Sequence, residues 1–204
     1  MTDKFNDKQG VLLQGHIKIH NPETGEILVD KRNAIHYENM SISLAESLSN
    51  QGQGMVYQMA FGNGGTNVDP TGIITYLSPN STGTNASLYN QTYAKVIDNN
   101  NVNNVDPTRN KLETRHVSGT NYTDIVATCL LDYGEPNGQD ALDNATANDS
   151  LYVFDELGLV SYATSGTGRL LTHVIFHPVQ KSLNRLIQID YTVRVQSLTG
   201  FNEV

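Results

Sequence analysis

The sequence predicts a mainly β protein, an antiparallel β-sandwich with one packed helix near residues 34–50 and long Asn-rich loops. Three observations carry this. Apolar and polar residues alternate with period two in many short runs. A single stretch repeats apolar residues at spacings of three and four. Asn, Gly, Ser and Thr fill the segments between the runs. The 204 residues suffice for one large β domain, and neither a repeat nor a linker divides them. The chain therefore reads as one domain, 1–204.

The elements follow in order. Val11, Leu13, Gly15, Ile17 and Ile19 alternate with Leu12, Gln14, His16, Lys18 and His20, which predicts a strand. Asn21-Pro22-Glu23-Thr24-Gly25 predicts a turn, and Glu26 to Asp30 the return strand of a hairpin spanning 11–30. Asn33 is a candidate cap for a helix reaching about Asn50, with Tyr37, Met40, Leu44 and Leu48 on one face and Gly52 and Gly54 ending it. Met55 to Phe61 alternates as a strand and runs into Gly62-Asn63-Gly64-Gly65-Thr66. Thr71–Leu77 predicts a weaker strand, 78–90 a polar loop, and Gln91–Asp98 a strand.

Two long loops, 99–110 and 134–150, flank strands at Lys111–Val117 and Tyr122–Tyr133. Segments at Leu151–Phe154, Gly168–His177 and Asn184–Gln196 close the chain. The last alternates most clearly, with Ile187, Ile189, Tyr191, Val193 and Val195 on one face. Loops of such composition are expected to be held by neighbouring chains.

Charge and composition narrow the function. The net charge is −8 and the pI about 5.1, with acid concentrated between Asp98 and Glu156. No basic run interleaved with aromatics occurs, so no specific nucleic-acid surface is expected. No apolar run approaches the ~20 residues that span a bilayer, and the charged N-terminus lacks a signal peptide's apolar core, so no membrane partner is expected. Cys129, alone in an apolar strand pattern, reads as a buried small side chain.

No chemistry-bearing motif assembles. His16 and His20, and His173 and His177, share strand faces, but four residues along a strand span about 13 Å, too far for one metal ion. These read as surface or interface histidines. Asp140, Asp143 and Asp149 lack EF-hand spacing. Gly62-Asn63-Gly64-Gly65-Thr66 lacks the P-loop lysine and reads as a sharp turn needing positive φ. Asp155 and Glu156 are neighbours that a strand would point to opposite faces, which argues against acid–base cooperation. Neither catalysis, cofactor nor metal is expected.

The arrangement as a whole resembles virion structural proteins of tailed bacteriophages, namely the β-rich modules of tail-fibre attachment domains, baseplates and neck or collar proteins. Three pieces carry the resemblance. The first is the helix Ile42–Leu48, the strand Met55–Phe61, the Gly62–Thr66 turn and the later segment Ala86–Tyr93. The second is Phe154-Asp155-Glu156-Leu157-Gly158-Leu159-Val160, similar to a Glu-Leu-Gly-Leu signature. Here Leu157 and Leu159 share a face, Gly158 lets the chain bend, and Glu156 is placed to pin a loop by accepting backbone N–H bonds. The third is Gly168–Phe176, Pro178–Lys181 and Leu186–Val195. Together they cover about residues 33–197.

The resemblance implies a structural block of the virion, a homo-oligomer that contacts other phage neck or tail proteins. The chain ending at Val204, and its long Asn-rich loops, depart from a fibre module and favour a neck or collar ring. The hairpin 11–30 and the loops 99–110 and 134–150 are the expected contact elements. Competing expectations are a capsid-decorating or carbohydrate-binding module, and a glycan hydrolase, which would need a convergent carboxylate pair.

Overall fold

The computed structural model describes residues 9–137, 152–166 and 168–199. The chain opens with a hairpin of β1 (Gln9–His20) and β2 (Ile27–Ile35). Its turn is set by Asn21, whose side-chain oxygen accepts the N–H groups of Glu23 and Thr24, and by Gly25 at φ 75°. There follow α1 (Tyr37–Leu48), β3 (Val56–Gly62), β4 (Thr66–Val68), β5 (Ile74–Tyr76) and β6 (Gln91–Val96). The remaining strands are β7 (Lys111–His116), β8 (Tyr122–Leu131), β9 (Val153–Ser161), β10 (Thr172–Gln180) and β11 (Ile187–Thr199). Most of the loop placed at 134–150, with Asp140, Asp143 and Asp149, lies outside the described residues.

The mainly β, antiparallel fold with one packed helix is the one the sequence predicts. Its two layers come from a single curled sheet of nine strands, ordered β6-β3-β9-β10-β2-β1-β11-β8-β7. The halves join through only two residue pairs, Thr172 with Ile35 and His173 with Ala34. They face one another across one core: Ile17, Ile19, Cys129, Ile187, Ile189 and Tyr191 from one half, Met59, Phe61, Leu157, Leu159 and Val174 from the other. Burying each such side chain contributes roughly 1.5–3 kcal/mol. On the far side, Lys95 of β6 donates to the Leu130 carbonyl of β8 at 2.7 Å, so the sheet curls back without β6 and β7 pairing.

The alternation of β11 is realised, with Ile187, Ile189, Tyr191 and Val193 buried and Gln188 and Asp190 less so. β9 differs. Every residue from Val153 to Ser161 is buried, because the main core covers one face while Ala60, Leu88, Val160 and Leu170 pack on the other. A strand covered on both faces carries no alternation to read.

The helix starts later than the Asn33 cap implies. Asn33 lies in β2, and His36 is the cap, its Nδ1 accepting the Asn39 N–H at 3.2 Å. The buried face of α1 is Asn39, Met40 and Ser43, while Tyr37 and Leu48 stand outside, 76% and 88% exposed. Asn39 is held inward by a bond from its side-chain N–H₂ to the Leu170 carbonyl, and of the apolar stripe Met40 and Leu44 reach the core.

Candidate functional site

The sequence motifs meet around two neighbouring carboxylates on β9. Asp155 accepts the Gly65 and Thr66 N–H groups, each at 2.9 Å, and the Thr66 hydroxyl at 2.5 Å. Glu156 accepts the N–H groups of Gly64 (3.1 Å), Tyr89 (2.9 Å) and Asn90 (2.7 Å). Its Oε2 also lies 2.9 Å from Nε2 of His173. The turn Gly62–Thr66 and the loop before β6 are thus clasped to β9 by two side chains that are 1% and 0% exposed. Against expectation, the neighbours converge on one turn. The pairing of β9 with β10 breaks opposite Asp155, between Ile175 and Val179, so regular strand geometry does not hold there.

Hydrogen bonding fixes the proton positions. The Asn80 N–H donates to Nδ1 of His173 at 2.7 Å, so the ring proton sits on Nε2 and points to Glu156. Burial pushes the Glu156 pKa up, but the bonds from His173 and from the Asn90, Tyr89 and Gly64 amides outweigh it and hold the carboxyl below its ordinary range. For Asp155 burial prevails over its bonds from Thr66 and Gly65, the Glu156 charge adds to it, and the pKa is raised.

The glycines serve close approach instead of positive φ, which corrects the turn expectation. None of Gly62, Gly64 and Gly65 has a left-handed φ. A Cβ on Gly62 would lie 2.5 Å from the Asn90 carbonyl oxygen and from Oε1 of Glu156, and one on Gly64 would lie 2.7 Å from the Asn90 nitrogen. A Cβ on Gly65 would lie 3.0 Å from Ile175. Gly158 is likewise no bend, since β9 runs through it; a Cβ there would lie 2.5 Å from the Thr172 carbonyl oxygen. Leu157 and Leu159 are fully buried in the core beside it.

The histidines divide into two kinds. His16 pairs at the surface with Asp30 (2.8 Å), half-buried His20 with Asp190 (3.0 Å), exposed His116 meets the Tyr122 carbonyl, and His177 meets the Tyr76 hydroxyl. His173 and His36 are fully buried, which corrects the reading of His173 as a surface or interface group. His36 repeats the pattern of His173, its Nε2 donating to the Gly83 carbonyl at 3.0 Å. Both rings therefore hold the segment between β5 and β6. Among the described residues no three His, Cys, Asp or Glu side chains gather as metal ligands, and no helix is long and apolar enough to cross a membrane. Burial pushes the Cys129 thiol up to about 12.

The second feature is the loop joining the edge strands β6 and β7. Its asparagines hold it from within. Asn101 and Asn104 side-chain oxygens accept the Asn103 and Asp106 N–H groups, and Asn104 donates to the Asn110 carbonyl at 2.8 Å. The Asn110 side chain accepts the buried Leu130 N–H at 2.9 Å, and the Asn99 side chain accepts that of Leu112. Thr108 and Arg109 bonds hold the Asp106 carboxyl down at about 2. The order expected from neighbouring chains thus has an internal source. On this frame Val102 and Val105 point outward, 95% and 85% exposed.

The sequence reading missed His36, His173, Asn104 and Asn110. The asparagines carried a signal, since Asn side chains commonly cap their own backbone two residues on. Comparison with known proteins finds no matching family model, no matching curated protein and no matching solved structure.

Proposed function

We propose that this chain is a non-enzymatic structural component of a tailed-phage virion, a neck, collar or tail protein that assembles with copies of itself and with neighbouring virion proteins. The observation that carries the reading is the loop 99–110. A rigid loop that projects Val102 and Val105 into water exposes apolar surface at a cost in solubility. In an assembly the same loop would be a preorganised contact, a reading supported by the bonds within the chain that hold it. The resemblance of the Gly62–Thr66 turn, the Glu156-Leu157-Gly158-Leu159 segment and the closing strands to virion modules supports the same reading.

The carboxylate pair fits a structural role. Asp155 and Glu156 are buried and bonded to backbone N–H groups, so they hold the fold's connections together instead of facing a substrate cleft. The test is a phage whose copy of this chain carries Val102→Asp and Val105→Asp. The variant is expected to fold, since both sites are exposed, and to be missing from purified particles. Incorporation at the wild-type level would refute the loop as a contact.

A further inference from the structure

Among the described residues, one sheet edge lacks the protection the others carry. Beyond the pairing of Gly15 with Asn33, β2 leaves β1 to join β10 and then enters α1. Among the described residues, Gln9–Gln14 of β1 pair on one side only, with Arg194–Thr199 of β11. Between the diverging strands lies a cleft of about 560 Å³, walled by Leu13 and Gln14 on one side and Ala34, Ile35 and Tyr37 on the other. Six extended residues span about 20 Å, enough for a stable strand pairing.

Exposed strand edges are normally blunted by charge, brevity or cover. β7 carries Lys111, Glu113 and Arg115, joined by two ion pairs of 2.9 Å, and its Leu112 N–H is taken by Asn99. β6 turns Lys95 inward. β4 and β5 are three residues each. Where β2 parts from β10, Lys31 fills the gap by donating to the Ile175 carbonyl. Gln9-Gly10-Val11-Leu12-Leu13-Gln14 has neither charge nor proline, and Val11 is 62% exposed.

We propose that this edge pairs antiparallel with the same edge of a second copy, joining the two sheets across a two-fold axis. The proposal rests on the assembling role above only in taking a second copy as the occupant. Two arguments select that occupant. An edge that pairs with its own copy must not set like charges opposite one another, and among the described residues Gln9–Gln14 is the free edge of useful length that meets this condition. Charge points the same way. The chain carries −8 overall, yet residues 9–14 carry no charge, and beside them Asp124 is already paired with Arg194 at 2.8 Å, so two acidic copies meet here without setting acid against acid. An antiparallel pair is isologous and closes, so the contact yields dimers and not fibres.

The experiment is sedimentation of the full chain over a range of concentrations, with hydrogen exchange on the same samples. Wild type is expected at twice the chain mass with a thermal midpoint that rises with concentration, and Val11→Lys at the chain mass with the midpoint of dilute wild type at every concentration. Amides within 9–14 are expected to exchange more slowly as wild-type concentration rises. Val102→Asp should leave this pair intact, which separates the edge from the loop contact. A wild type that stays monomeric, a Val11→Lys that still pairs, or exchange at 9–14 that ignores concentration in a self-associating sample would each overturn the proposal. Should Val11→Lys lower the midpoint, the wild-type exchange decides. If the loop variant enters particles normally while Val11→Lys abolishes the pair, the virion reading of the loop fails and the edge pairing stands.

Discussion

At the residue scale, Glu156 is the side chain on which most connections depend. Three backbone amides and one histidine donate to it inside the protein. Glu156→Gln keeps the shape but turns an N–H₂ group toward donors, and is expected to lower unfolding free energy by about 3 kcal/mol. Because the folded-state pKa of Glu156 is depressed, its ionic contribution is present above the unfolded carboxyl value and lost as pH falls through the folded one. The gap between wild type and variant should therefore shrink in acid, as read by denaturant titrations at several pH values. A gap independent of pH would argue that the ionised form is irrelevant. Asp155, with its raised pKa, has the opposite sign: its contribution is present below the unfolded value and fades as pH rises through the folded one. Glycine offers a sharper contrast. Gly64→Ala must displace the Asn90 backbone and is expected to cost about 1–3 kcal/mol. Gly134→Ala meets nothing within 4 Å and should be neutral or stabilise by about 0.5 kcal/mol. Equal effects at the two positions would contradict the close-approach account.

At the element scale, strands with one wet face were legible in the sequence. β1 and β11 alternate because one side meets the core and the other meets water. β9 was only partly legible, since both of its faces are covered and its partners come from three distant segments. The helix was placed correctly but its cap was not. Propensity favours Asn at that position, whereas His36 sits where the chain turns off β2 and a ring nitrogen does the same work. The loop 99–110 was recognised as a loop, but its rigidity follows from which asparagine meets which amide, a matter of three dimensions. Asn110 is the test. Asn110→Ala leaves the buried Leu130 N–H without an acceptor, for an expected cost of about 2–3 kcal/mol. Hydrogen exchange should show faster opening across 98–111 while β9 and β10 keep their protection. Uniform protection in the variant would show that the asparagine network is dispensable.

At the scale of the whole molecule, one core joins the two halves of the sheet, so the chain is expected to unfold as a unit. Cys129 reports on this without mutation. It is fully buried, and its thiol is pushed up to about 12, so it should resist a thiol reagent in the native state. Its reactivity should appear with denaturant at the same midpoint as the loss of circular dichroism; labelling well before that midpoint would reveal a half that opens alone. Under the proposed role, the apolar loop at Val102 and Val105 and the edge at 9–14 are the contact surfaces. The proposed incorporation into a virion is tested most directly by immunogold electron microscopy of purified particles. Label at the head–tail junction or along the tail, repeated on every particle, is the expected result. Particles that carry no label, with the epitope shown to be accessible, would contradict it.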